Sequence, residues 1–181
     1  MIKDSLKTIS FGVLVLAAAM LLVGYFSNQI SLQKIQLTMG KTQLKYYDTW
    51  AVVPGSREDS IALMLKRDPE VRINILITSG AANSTFAADF IQNIHNSQVF
   101  PDYKPMQTSQ TSIGRFEKST RIDFAFVDKH ASPTQLPTVF RGSDWIITQA
   151  DKQIVLSLIA PSEKYSQFLT DFNIISNTII F

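Results

Sequence analysis

The hydrophobic pattern of this chain changes character near residue 27. Before that point, Ile9–Phe26 (ISFGVLVLAAAMLLVGYF) is an unbroken run of eighteen uncharged residues. At about 1.5 Å rise per residue it would reach roughly 27 Å as a helix, close to the ~30 Å hydrocarbon core of a bilayer. Phe11, Leu14, Leu16, Met20, Leu21 and Leu22 are its candidate lipid-facing side chains. Tyr25 and Phe26 close the run where an aromatic belt would lie. Ala17–Ala19 fall in the middle of the run, too early for signal cleavage, and Ser27-Asn28-Gln29 carry no Ala-x-Ala pattern. The run therefore predicts an uncleaved single-pass anchor over 9–26, after a short tail over 1–8. Lys3 and Lys7 on one side face Lys34 and Lys41 on the other, so the positive-inside bias is weak. A short tail before the helix and a large domain after it suit a signal anchor. The domain is expected on the non-cytoplasmic side, the periplasm if the cell is bacterial.

After a polar linker over 27–34, the pattern turns to a period of two over much of an extramembrane domain, 35–181. Ile35, Leu37 and Met39 alternate with polar residues up to a turn at Gly40-Lys41, and Leu44 and Tyr46 continue on the next strand. Trp50–Val53 ends at Pro54-Gly55, Ile61–Leu65 follows, and Asp68-Pro69-Glu70 reads as a break. Val71, Ile73, Ile75 and Ile77 then point one way along a β-branched strand. A helix is expected from the candidate caps Asn83, Ser84 and Thr85, with Phe86, Phe90, Ile91 and Ile94 at helical spacing and an exit at Pro101. Ser112–Glu117 and Arg121–Val127 predict a hairpin around Lys118-Ser119, and Ala131–Pro137 a loop. Trp145–Thr148 and Gln153–Ile159 predict another hairpin. A last helix should start near Pro161-Ser162, with Tyr165, Phe168, Leu169 and Phe172 as its apolar stripe. Short connections favour antiparallel pairing. The expected fold is α+β: an antiparallel β-sheet sandwiched by helices, preceded by one transmembrane helix.

Composition narrows the chemistry. Seventeen Lys and Arg stand against fifteen Asp and Glu, a net charge of +2, and they are scattered along the 181 residues. Neither a disordered chain nor a polybasic nucleic-acid binder has that balance. There is no cysteine, which removes disulfides, thiolate zinc sites, iron–sulfur ligands, cysteine nucleophiles and a lipoprotein anchor.

The run Tyr47-Asp48-Thr49-Trp50-Ala51-Val52-Val53-Pro54 resembles the opening of PsbP-like domains. The strand Val71–Ser79 with a helix from Ser84 is similar to the way that fold places its first helix, and the closing hairpin, the helix from Ser162 and Asn177–Phe181 resemble its ending. PsbP-like proteins, the periplasmic DcrB-type proteins and Ran-binding relatives share this α/β/α sandwich. The resemblance is one of layout over about residues 43–181. It implies a non-enzymatic module, with no cofactor, that binds or steadies a membrane-protein complex.

Candidate chemistry in the residues is sparse. Asp128-Lys129-His130 puts a carboxylate and an imidazole two apart, with Asp123 a possible neighbour, but two ligands are too few for a metal site. His95, near the end of the first helix, suits a helix-dipole role. No Gly-x-Ser-x-Gly and no phosphate-binding glycine loop occurs. Glu58-Asp59 and Asp68 with Glu70 read as local surface ion pairs with Arg57, Lys66, Arg67 and Arg72. Trp50 and Trp145 read as core. The Phe100–Met106 segment is read as an exposed recognition loop, with Pro101, Tyr103, Pro105 and Met106 as partner-binding candidates.

Three functions fit these features. The first is a membrane-anchored accessory or assembly subunit, non-catalytic, whose partners are the lipid bilayer and an integral membrane-protein complex and not nucleic acid. The second is a periplasmic small-ligand or lipid-binding module. The third is a metal-dependent hydrolase around Asp128 and His130.

Overall fold

The computed structural model describes residues 34–79, 89–90, 93, 100–128, 136–149 and 152–181. The predicted anchor over 9–26, including Phe11, Leu14, Leu16, Met20, Leu21, Leu22, Tyr25 and Phe26, lies outside the described residues. So do the candidate caps Asn83–Thr85 and both histidines, His95 and His130. Among the described residues, no helix is long and apolar enough to cross a membrane.

The alternating segments fold as strands: β1 (Lys34–Met39), β2 (Thr42–Tyr47), β3 (Trp50–Val52), β4 (Ser60–Leu65), β5 (Asp68–Ser79), β6 (Lys104–Ile113), β7 (Phe116–Asp128), β8 (Thr138–Gln149) and β9 (Lys152–Pro161). A helix, α1 (Tyr165–Thr178), follows. β1 and β2 form a two-stranded ribbon; the rest form a seven-stranded sheet in the order β3-β4-β5-β9-β8-β7-β6, antiparallel at every step. The chain leaves the middle of the sheet at Ser79 and returns at the far edge with Lys104. The last strand, β9, then inserts beside β5 and closes the sheet.

β9 explains the layering. Its run from Gln153 to Pro161 is buried at every position, as expected of a central strand covered on both faces. On one face Ile154, Leu156, Leu158 and Ala160 join Ile61, Leu63, Ile73 and Ile75 under α1. The helix presents Tyr165, Phe168, Phe172 and Ile175, the 3.6-residue stripe read from the sequence. Trp50 meets Phe168 edge to face at 6.3 Å, and Trp145 packs on Phe172 at 4.7 Å. Both tryptophans are core, 0% and 2% exposed. The opposite face buries Ile122, Phe124, Phe126, Phe140, Ile146, Val155 and Ile159. Phe90, one of the helical residues described before β6, packs against it.

Four expectations are corrected. Asp68-Pro69-Glu70 does not break the strand; it begins β5, after a turn at Lys66-Arg67. The β6–β7 turn is Gly114-Arg115, not Lys118-Ser119, and Gly114 takes a left-handed φ of 55° there. Ser162 does not cap the helix: Lys164 occupies that position and makes no side-chain cap bond. Asp68 is not in a local pair; it binds Lys164, 96 residues away, at 2.7 Å and so ties the start of β5 to the start of α1. After α1, Ile180 exchanges two 2.8 Å backbone hydrogen bonds with Gln43 of β2, so the terminal residues return to the small ribbon.

Candidate functional site

The features that could meet a partner or ligand gather where β6 begins, β7 ends and β8 begins. Phe100–Tyr103 forms a turn over the end of β7. Tyr103 N–H donates to the Phe100 carbonyl at 3.3 Å, and Val127 N–H donates to the Pro101 carbonyl at 3.1 Å. Asp102 takes a positive φ of 53° to make the bend. The turn delivers two aromatic rings to the sheet. Phe100 lies 4.5 Å from Phe126, Tyr103 lies 5.2 Å from Phe124, and Phe126 stacks on Phe140 at 5.1 Å. Phe124 can lie flat because its cross-strand partner is Gly142, where any Cβ would strike the ring.

A cavity opens on each side of this turn. One, about 430 Å³, is lined by Phe100, Pro101, Phe126, Phe140 and Ile159 and by Glu70, Arg72, Asn74 and Asp128. The other, also about 430 Å³, is lined by Asp102, Tyr103, Lys104, Ala125, Phe126, Val127 and Val139.

Asp144 sits deeper on the same face, paired in the sheet with Ser157 and Ile122. It is 2% exposed, and among the described residues its Oδ2 has no hydrogen-bond partner. Burial pushes its carboxyl up to about 7, and the Ser157 hydrogen bond opposes that shift. Burial, with the Asp144 charge second, pushes the Tyr103 phenol up to about 12.

A separate polar chain lies under the start of α1. The Nε and an Nη of Arg121 donate to Asp123 Oδ1 at 2.9 and 2.8 Å, and Ser143 Oγ donates to the same oxygen. Tyr165 and Ser143 share a 2.6 Å hydrogen bond. The guanidinium of Arg121 covers Trp145, and that of Arg141 covers Tyr165. The two Arg121 bonds and the Ser143 bond all converge on Oδ1 of Asp123. The arrangement is a largely buried polar strut joining β7, β8 and α1.

The sequence candidates divide between these places. Tyr103 is 6% exposed and belongs to the aromatic cluster. Pro101 is half-buried over β7. Pro105 and Met106 are exposed, but on the edge strand β6 rather than in a loop. Met106 is 61% exposed, at an irregularity in the β6–β7 register. The same end of the sheet exposes Leu136 at 89% and Val139 at 49%. The sequence reading passed over these two, although an apolar residue beside Pro137 in a loop was a usable signal. Asp123 and Asp128 are five apart on β7 with an unbroken β8 register, so they face opposite sides of the sheet. Among the described residues, no three His, Asp or Glu converge on a point that could hold a metal.

Solved structures share this architecture. Cyanobacterial PsbP (CyanoP) from Synechocystis superposes with a TM-score of 0.51 at 10% identity, over 84% of this chain and 94% of that one. The fold is PsbP-like. The Ran-binding protein Mog1p of Saccharomyces cerevisiae has the same arrangement, with a TM-score of 0.50 at 8% identity over 81% and 87% of the two chains. A protein from Bacteroides thetaiotaomicron matches with a TM-score of 0.51 at 14% identity over 82% of this chain, which spans 48% of that one. No family model matches the sequence and no curated protein matches it. In this PsbP-like domain the turn and both cavities lie toward one end of the sheet with Met106, Leu136 and Val139, while Ile35 and Ile180 are exposed at the β1–β2 ribbon and Leu76 on β5.

Proposed function

We propose that this protein is a non-catalytic accessory subunit, anchored by the 9–26 helix, whose PsbP-like domain docks on a larger membrane-protein complex. The observation that carries the reading is the exposure of three large apolar side chains on β6 and around the start of β8, Met106, Leu136 and Val139. Large apolar groups left exposed, beside the stiff Pro101 and Pro105, suit a protein contact. The uncharged run Ile9–Phe26 supports the anchor. Confinement to a membrane raises the local concentration of both partners, so a modest docking surface suffices. The domain is placed on the non-cytoplasmic side.

The full chain, isolated from its native membranes in mild detergent, is the material for the test. The wild type is expected to migrate in a complex of defined size. Met106→Glu with Val139→Glu is expected to reduce that complex at least ~10-fold, since burying an unpaired charge costs more than ~1.4 kcal/mol. Both positions are exposed, so the fold should tolerate the changes. A lone monomer for wild type and variant alike would contradict the proposal.

A further inference from the structure

The first cavity has a built polarity that docking does not use. Its floor is Ile159, and one wall is the ring cluster of Phe100, Phe126 and Phe140. Phe126 and Phe140 lie nearly parallel, at 14°. The other wall is a column of β5 side chains, Glu70, Arg72 and Asn74, spaced two apart and therefore on one face. The cavity holds about 430 Å³, within the range of small-ligand sites, roughly 300–1,000 Å³.

The charges in the polar wall are not equivalent. Arg72 is held by one hydrogen bond, from Nε to the Pro69 carbonyl at 3.2 Å. Its terminal nitrogens enter no hydrogen bond or ion pair with a described residue. Glu70 acts on the Lys164 ammonium and raises its pKa, behind the larger effect of Asp68. Asp128 already interacts with another group. Arg72 is the cation among the residues that line the cavity, facing the carboxylates of Glu70 and Asp128, and a guanidinium fork pairs best with a planar acid group. Asn74 beside it adds a neutral donor and acceptor.

We propose that this cavity binds a small amphipathic organic acid, its apolar or aromatic body on the three phenylalanines and its carboxylate or sulfonate on Arg72. The site is independent of the exposed apolar residues assigned to docking, and either can fail without the other.

The test uses the full chain in nanodiscs of uncharged lipid, with empty discs subtracted. Calorimetric titration with 2-naphthoate is compared with titration by its cationic counterpart, 2-naphthylmethylammonium. The expected result is one saturable naphthoate site per chain and no saturable ammonium site. Arg72→Gln should weaken naphthoate at least ~10-fold, the loss of one charge-assisted bidentate contact. Arg72 is exposed, so an unchanged thermal transition will show that the variant folds. Glu70→Gln should leave naphthoate binding as tight or tighter. The proposal is overturned if the ammonium binds as well as the acid, if Arg72→Gln changes the affinity less than ~2-fold, or if naphthoate never saturates.

Discussion

Burial holds the Asp144 carboxyl at about 7 against an ordinary value of 3.8, and this gives stability a direction in pH. A carboxyl that binds its proton more tightly when folded contributes stability fully present below about pH 4 and lost as pH rises through about 7. Asp144→Asn keeps the shape of the protonated acid and cannot ionise. Urea midpoints of wild type and variant should therefore be similar near pH 4 and separate above pH 7, with the variant the more stable. Parallel profiles would show that Asp144 does not titrate in this range. Gly142 carries a second residue-scale prediction. Any side chain there meets the Phe124 ring, so Gly142→Val should cost about 1–3 kcal/mol in denaturant unfolding through overpacking. An unchanged midpoint would mean the ring can move aside. Neither residue stood out in the sequence. In Gly142–Ile147 both sheet faces are buried, so the polar–apolar alternation that marks a half-exposed strand disappears. An aspartate there reads like one in water. Trp50 and Trp145 were legible because large apolar side chains carry their burial in their chemistry.

Elements were easiest to read where one face is wet and hardest where a strand is wet on both. β1, β2 and β5 show their period directly, and α1 shows its stripe of Tyr165, Phe168 and Phe172. β6 does not. Lys104–Ser112 is mostly exposed along its length, because an edge strand beside a polar surface needs no apolar face. Its Gln-Thr-Ser-Gln-Thr run therefore gave no strand signal, the predicted strand began only at Ser112, and the hairpin turn was placed four residues late. The turn signal was Gly114, whose positive φ of 55° admits few other residues. A Cβ there would also press on the Ser176 backbone at 2.8 Å. Gly114→Ala should therefore destabilise the domain by more than the ~1 kcal/mol typical of left-handed backbone strain alone. A chemical-denaturation midpoint equal to the wild type would contradict this packing of the β6–β7 turn against α1.

At the scale of the whole molecule, the antiparallel sheet was legible because short connections favour antiparallel pairing, whereas its order was not, since β9 inserts beside β5; the chain ends on β2 and ties in the small ribbon. The end of the sheet that gathers both cavities was not legible. It depends on which strands become neighbours: β5 pairs with β9 across a long stretch of sequence, and the Pro101 carbonyl meets Val127 N–H of β7. The residues singled out as a recognition loop split accordingly: Tyr103 turned inward to the aromatic cluster, while Met106 stayed on the surface. The proposed role rests on that outward half. The most direct measurement places a photoreactive amino acid at Met106 of the full chain in its native membrane, with exposed Asn173 on α1 as the comparison site. Docking through this end predicts one reproducible adduct from position 106 and none from position 173. Equal labelling from both positions, or no adduct from 106 while the chain is folded and membrane-bound, would contradict it.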